Sequence, residues 1–200
     1  MGLTLRAALL TDRGLRRANN EDAAFAGRRL LAVADGVGGA PAGELASELA
    51  ISALSPLDEE PEPADPLAAL RDAFDTATAR IRAAAAADPA RVGMGTTVTA
   101  VLVYGHRIGL LHVGDSRCYL FRDAAVTRLT RDDTLVQEMV ERGLLTTVAA
   151  RDHPQRSLVT QVMQGQPIRP AGSAPAVRPG DRLLLCSDGL TDVLADDMIA

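Results

Sequence analysis

The chain has 200 residues, of which 47% are hydrophobic and 2% aromatic, and a formal charge of −5. A domain of this length buries roughly 70% of its unfolded surface without staples, so Ala, Val and Leu must supply the core. The acidic balance and the lack of a basic run exclude nucleic acid as the expected partner, and no run nears the ~18 apolar residues of a membrane span. Met1–Leu10 lacks the apolar core and cleavage pattern of a signal peptide, which leaves the cytoplasm as the expected compartment. Every basic residue is Arg, with no Lys, as a biased coding composition produces. Cys118 and Cys186 both fall inside apolar runs and read as small buried hydrophobes rather than a disulfide framework.

Leu3–Thr11 reads as a first strand, followed by a polar, Gly-bearing loop over Asp12–Asp22 (DRGLRRANNED). Arg29–Ala34 reads as a second strand, glycines 36, 38, 39 and 43 as a tight turn, and Glu44–Leu54 as a helix. Ser55–Asp65 (SPLDEEPEPAD) is acidic, carries three prolines and reads as a solvated surface connection. Leu67, Leu70, Phe74, Ala77, Ile81 and Ala84 recur at helical spacing, so Pro66–Ala87 reads as a long amphipathic helix capped by Asp65. From Gly95 the pattern turns to strands: Thr96–Tyr104, a turn at Gly105-His106, Arg107–Val113, Cys118–Phe121 and Val126–Leu129. Asp133–Arg142 reads as a short helix ended by Gly143, Leu144–Arg156 fits no single pattern, and Leu158–Met163 reads as helical. Gly165–Pro179 is a Pro-rich loop, Asp181–Ser187 a strand, and Thr191–Ala200 the start of a helix. About eight strands that adjoin one another more often than they alternate with helices point to an α+β fold of antiparallel sheets with helices packed outside.

Three of these strands end in carboxylates. LLAVADGV (Leu30–Val37) and LLLCSDGL (Leu183–Leu190) both close on Asp-Gly, and the run Ile108–Val113 leads into GDSR (Gly114–Arg117). Strand tips that deliver Asp35, Asp115 and Asp188, with Glu21 and Asp22 nearby, supply the oxygen-only donor set that a hard divalent cation requires. Each close pair of bare carboxylates costs about 4 kcal/mol at an effective dielectric near 20. A fold with a net stability of roughly 5–15 kcal/mol therefore either disperses these acids or neutralises them with metal. A dinucleotide-binding turn after Asp35 is rejected, because Pro41 breaks the glycine pattern and a carboxylate would sit where a pyrophosphate belongs.

RRANNED, DGVGG, GMGTT, HVGDSR and LLLCSDGL occur in the order found in the metal-dependent protein phosphatases, the type-2C Ser/Thr (PPM) family. From about Leu5 onward the chain resembles the compact bacterial members that oppose Ser/Thr kinases. The resemblance implies a four-layer sandwich of two antiparallel β-sheets flanked by helices, with a metal centre in a cleft at one end. It implies that Asp35 bridges two Mn²⁺ or Mg²⁺ ions, with Glu21 and the Gly36 carbonyl on one and Asp188 on the other. Asp22 would act in or beside that shell through water, and Asp115 would help hold a third, weaker ion. Arg17 would grip the substrate phosphate, while Arg16 is a surface charge. The implied activity is hydrolysis of phospho-Ser and phospho-Thr in proteins by a metal-activated water, without a protein nucleophile. Ser116 and Ser187, lacking an adjacent base, are expected to serve hydrogen bonding. The places where some members carry a candidate acid histidine hold Val37 and Ala40. His112 is expected to be structural, and His153 to lie in a flap over the cleft. The implied partners are phosphorylated proteins, including a Ser/Thr kinase and its substrates, approached by a monomer.

One family feature is not in the sequence: the Asp-Asn pair and closing strand that supply the last ligand. Asp192, Asp196 and Asp197 follow Asp188 too closely to replace it and suit helix-start or surface roles. The expectation is a single phosphatase domain over residues 1–200 without that motif. Its alternative is a catalytically weakened, phosphatase-like module that binds phosphoproteins or partners without turnover.

Overall fold

In the computed structural model, which describes residues 3–15, 17–37 and 42–199, alternation decides the first ladder. Strand β1 (Asp22–Ala26) pairs antiparallel with β2 (Leu30–Val37), and Leu30, Ala32 and Ala34 of β2 turn inward on one face. Helix α1 (Ala42–Leu54) and helix α2 (Pro66–Ala87) pack together over that face. The spacing of Leu70, Phe74, Ala77 and Ile81 gives α2 its buried stripe, and Asp65 caps it by accepting the Leu67 N–H. Strands β3 (Gly95–Thr96) and β4 (Val98–Tyr104) run antiparallel to β2, and β5 (Arg107–Val113) follows β4 through the Gly105 turn.

Strand β6 (Arg117–Arg122) begins the second sheet, pairing with β7 (Ala125–Arg128) on one side and β9 (Arg182–Cys186) on the other. Between β7 and β9 come α3 (Leu135–Glu141), α4 (Thr147–Arg151) and the short strand β8 (Ala171–Ser173), which joins the edge of the first sheet beside β5. Helices α5 (Asp188–Thr191) and α6 (Asp196–Ile199) follow β9. The first sheet runs β1-β2-β4-β5-β8, with β3 beside β2, and the second runs β7-β6-β9.

Strand β4 is buried on both faces. Val98, Ala100, Leu102 and Tyr104 belong to the core under α1 and α2, whereas Val101 and Val103 join Ile108, Leu110 and Cys118 in the core between the sheets. The expected architecture of two antiparallel sheets with flanking helices is the observed one. No helix among the described residues is long and apolar enough to cross a membrane.

Several elements differ from the expectation. Leu3–Thr11 is not a strand: its backbone link to the sheet is Leu3 N–H to the Gly105 carbonyl, 2.7 Å, and only Leu3 and Leu5 lean on the inter-sheet core. The apolar pattern reported contact there, not ladder pairing. β1 hides in DAAFA, where alanines carry little strand signal. Leu158–Met163 is extended, bridging Thr134 at Val159 and Thr96 at Met163, because its partners lie far away in sequence. The turn expected at glycines 38 and 39 lies outside the described residues.

The acidic connection is not a free solvated linker. Its first residues form a 3-10 turn (Ser55–Asp58), and Asp58 accepts the backbone N–H groups of Arg29 (2.7 Å), Leu30 (2.9 Å) and Arg28 (3.2 Å) at the entry to β2. Burial pushes this carboxyl up, but the three N–H donors outweigh it and hold Asp58 below the usual range. A Cβ on Gly27 would meet the Asp58 carboxylate at 2.3 Å, so the glycine makes room for the clamp. The Tyr104 hydroxyl faces the carbonyls of Leu57 and Glu60, and Arg107 pairs with Glu62 at 2.6 Å. Charge-assisted hydrogen bonds are worth roughly 1.5–3 kcal/mol each, and water recovers part of that at this half-exposed site. Asp58→Ala is therefore expected to cost about 2 kcal/mol, read as a lower denaturant midpoint with unchanged m-value.

Candidate metal centre

The ladders bring the sequence-distant acids to one end of the sandwich. Register places Asp22 opposite Asp35 across β1 and β2. Asp188 starts α5 directly after β9, and the preceding Ser187 hydroxyl donates to Asp22 Oδ2 at 2.8 Å, tying the two sheets together. Asp115 stands in the turn between β5 and β6, nearly buried. Glu21 lies beside α1: its carbonyl accepts the Gly36 N–H (3.1 Å) and the Ser47 hydroxyl (2.7 Å), and its carboxylate lies over Gly43 in the first turn of the helix. A Cβ on Gly43 would stand 2.1 Å from Glu21 Oε2, and one on Gly36 would stand 2.3 Å from the Gly43 carbonyl oxygen. These two glycines are what let Glu21, Gly36 and α1 approach one another.

Threonines fix the backbone of Asp35. Its N–H donates to Thr97 Oγ1 (3.0 Å), and its carbonyl accepts from the Thr97 N–H (2.8 Å) and the Thr96 hydroxyl (2.9 Å). The Thr97 and Ser116 hydroxyls are 2.7 Å apart, so the tip of β2 is tied to the turn that carries Asp115. His112 supports the same turn from behind. The Arg131 carbonyl can only accept, so His112 Nε2 carries a hydrogen, and burial holds the ring below its usual pKa. Its Nδ1 then faces the Thr99 hydroxyl at 2.8 Å, a structural role as expected.

Burial and neighbouring carboxylates dominate the electrostatics of the site. Asp35 is held well above the usual carboxylate range, first by burial and then by Asp188, Asp22 and Asp115, and it shares a hydrogen bond with Asp188. Burial, then Asp188 and Asp132, push Asp115 up to about 7. Burial and Asp192 raise Asp188, while the Asp35 hydrogen bond and the nearby Arg17 guanidinium pull it back. Among the described residues no three His, Cys, Asp or Glu side chains close on a single point. Asp188, Asp22 and Asp115 instead lie around Asp35 at distances from which each raises its pKa. All-oxygen donors with carboxyls pushed towards neutrality fit Mn²⁺ or Mg²⁺.

The structure thus gathers Arg17, Asp22, Asp35, Asp115 and Asp188 and sets Glu21 and Gly36 against one another beside them. It does not place His153 there: His153 Nδ1 accepts the Gln155 N–H at 3.2 Å in the loop after α4, and the groove beside the acids is lined without it. That groove, about 660 Å³, runs from Asp115 and Asp188 along Val136 and Val140 of α3 to Val148 of α4 and Arg156. Arg16 and Ala40 lie outside the described residues. Sequence reasoning passed over the supports: Thr97, Asp133, whose carboxylate accepts the Gly114 N–H at 3.0 Å, and the buried pair of Arg117 with Asp132 at 2.7 Å. Asp196, expected at a helix start or the surface, begins α6 and is exposed, and it also accepts from Arg117 and from the Tyr119 hydroxyl, both at 2.9 Å. The repeated threonines of GMGTT and the paired acids of TRDD were the available signals.

Carboxylates gathered at the end of an antiparallel sandwich, with an arginine near Asp188, form an all-oxygen donor group of the kind a hard divalent cation takes. Residues 16–199 match the model of the Protein phosphatase 2C family, and the chain belongs to that family. It is 50% identical over 197 residues to the Ser/Thr protein phosphatase PstP of Mycobacterium tuberculosis H37Rv, covering 98% of this chain and 38% of that relative. The chain therefore spans well under half of PstP. It is 35% identical over 205 residues to the protein phosphatase PhpP of Streptococcus pneumoniae D39, covering 98% of this chain and 82% of PhpP. The crystal structure of the PstP catalytic domain in complex with two manganese ions superposes with a TM-score of 0.93 at 47% identity, over 98% of this chain and 83% of that one.

Proposed function

We propose that the chain is a Mn²⁺- or Mg²⁺-dependent protein serine/threonine phosphatase acting on phosphoproteins, among them a Ser/Thr kinase and its targets. The observation that carries this reading is the buried acid group around Asp35, whose carboxyls burial and mutual repulsion drive towards neutrality. In this reading Asp35, Glu21, the Gly36 carbonyl and Asp188 would hold the ions, Asp22 would act through water, and Asp115 would help hold a further, weaker ion. When bound, such ions supply Lewis acidity and lower the pKa of a water molecule, so that it can attack phosphorus in line.

The chain's own residues do the rest. Arg17, exposed and close enough to Asp188 to lower its pKa, receives the phosphoryl oxygens as a planar fork. Thr96, Thr97 and Ser116 keep Asp35 from drifting as charge builds beside it. The groove under α3 and α4 has room for the residues flanking a phosphorylated side chain.

The test is release of phosphate from a phosphothreonine peptide with Mn²⁺, with chelator, and by an Asp35→Asn variant. Equal release in all three samples would remove the activity from this site, and peptide binding without turnover would favour the binding-module alternative. Arg17→Ala is expected to lower kcat/KM by about 10- to 100-fold, the value of one charge-assisted contact, chiefly through KM. A steady-state comparison on the same peptide measures that split.

A further inference from the structure

We propose that Asp133 is a positioning residue that fixes the Gly114–Arg117 turn, and with it Asp115, to the stem from which α3 and α4 hang. The inference rests on the phosphatase reading of the acid group. Residues 134–159 leave the body of the protein as one excursion whose two ends meet. The Leu135 N–H donates to the Leu158 carbonyl (3.0 Å), Thr134 bridges Val159, and the Thr160 N–H donates to the Asp133 carbonyl (2.7 Å).

The other groups of Asp133 serve the turn and the returning segment. Its N–H donates to the Gly114 carbonyl (2.7 Å), its Oδ2 accepts the Gly114 N–H (3.0 Å), and its Oδ1 accepts the Gln161 amide (3.4 Å) with Arg131 at 3.6 Å. Main chain and side chain together close around Gly114, directly before Asp115. With only 8% of its surface exposed, Asp133 has no solvent to replace a lost partner.

The geometry has a functional consequence. α3 and α4 wall the groove that ends at Asp115 and Asp188. A substrate that displaces that wall strains the stem, and Asp133 passes the strain to the turn, because a buried, fully engaged carboxylate cannot slide without breaking bonds. Seating of a phosphoprotein against α3 and α4 is thereby joined to the placement of an acid in the reacting centre.

The test uses the full chain. Asp133→Ala removes both carboxylate contacts, whereas Asp133→Asn keeps an acceptor for the Gly114 N–H and can still face Gln161, whose amide is free to turn over. With p-nitrophenyl phosphate, which lacks the flanking residues of a phosphoprotein, Asp133→Ala should lower kcat by on the order of 10- to 100-fold, as misplacement by about an ångström does. KM should stay within about twofold, and half-activation should need more Mn²⁺. Asp133→Asn should recover most of the loss. Amide exchange should quicken in both the Gly114–Arg117 turn and Leu158–Met163 of the Ala variant.

The proposal is overturned if folded Asp133→Ala keeps wild-type kcat and Mn²⁺ response. It is also overturned if the loss merely follows the unfolded fraction and Asn restores nothing. Should the wild-type chain show no Mn²⁺-dependent hydrolysis, the phosphatase reading fails by itself. Amide exchange then decides the linkage alone: faster exchange in both segments supports it, and a change confined to one overturns it.

Discussion

Asp35→Asn is expected to reduce Mn²⁺-dependent phosphatase activity by at least about 10³-fold while making the chelator-treated protein more stable. The two effects have one cause. Asp35 is buried among Asp188, Asp22 and Asp115 and binds a proton more tightly folded than unfolded. A group with a raised folded pKa contributes stability below its unfolded value and loses that contribution as pH climbs towards the folded value. The metal-free protein should therefore melt at progressively lower temperature from about pH 5 to pH 8, a window in which Asp115, at about 7, also ionises. Asn cannot ionise, and its amide can still donate to Asp188, so the variant should flatten that slope and gain most at pH 8. Mn²⁺ should raise the melting temperature of the wild type more at pH 8 than at pH 5, and that of the variant by much less. Thermal unfolding across pH, with and without Mn²⁺, reads all of this. A variant that keeps the wild-type pH slope in chelator would mean that Asp35 is not the group under strain.

The same residues explain what the sequence alone could and could not convey. α2 was legible to its boundaries, because Pro66, Asp65 and a 3.6-residue apolar stripe are all local signals. β4 and β5 were legible for a similar reason, two β-branched runs about a Gly-bearing turn. Asp35, Asp115 and Asp188 stood out because they end apolar runs, but spacing could not show that they converge; only the resemblance implied it. Convergence depends on Asp22 pairing opposite Asp35 and on Ser187 reaching Asp22 from a position 165 residues away. The extended form of Leu158–Met163 and the anchoring of the acidic connection were hidden likewise. Thr96, Thr134, Tyr104 and the start of β2 fix them, and none is a neighbour in sequence. Local chemistry names the functional groups, and long-range pairing gives them their positions.

Gly114→Ala is expected to cost about 2–4 kcal/mol of stability and on the order of 100-fold in activity. Gly114 has φ +100°, a region that L side chains rarely enter, so the substitution is strained before packing is considered. Its new Cβ would stand 2.5 Å from Thr97 Cγ2 and 2.6 Å from Thr97 Cβ. Thr97 has no room to yield, because its hydroxyl is committed to the Asp35 N–H and to Ser116, and its N–H to the Asp35 carbonyl. Displacing it shifts the backbone of Asp35 on one side and the seat of Asp115 on the other. Thr97→Ser, which removes the methyl that collides while keeping the hydroxyl, should then recover part of the lost activity in the Gly114→Ala background. Urea unfolding and Mn²⁺-dependent hydrolysis of the two single variants and the double variant measure this coupling. Strict additivity would show that the contact between Gly114 and Thr97 does not hold Asp35 in place.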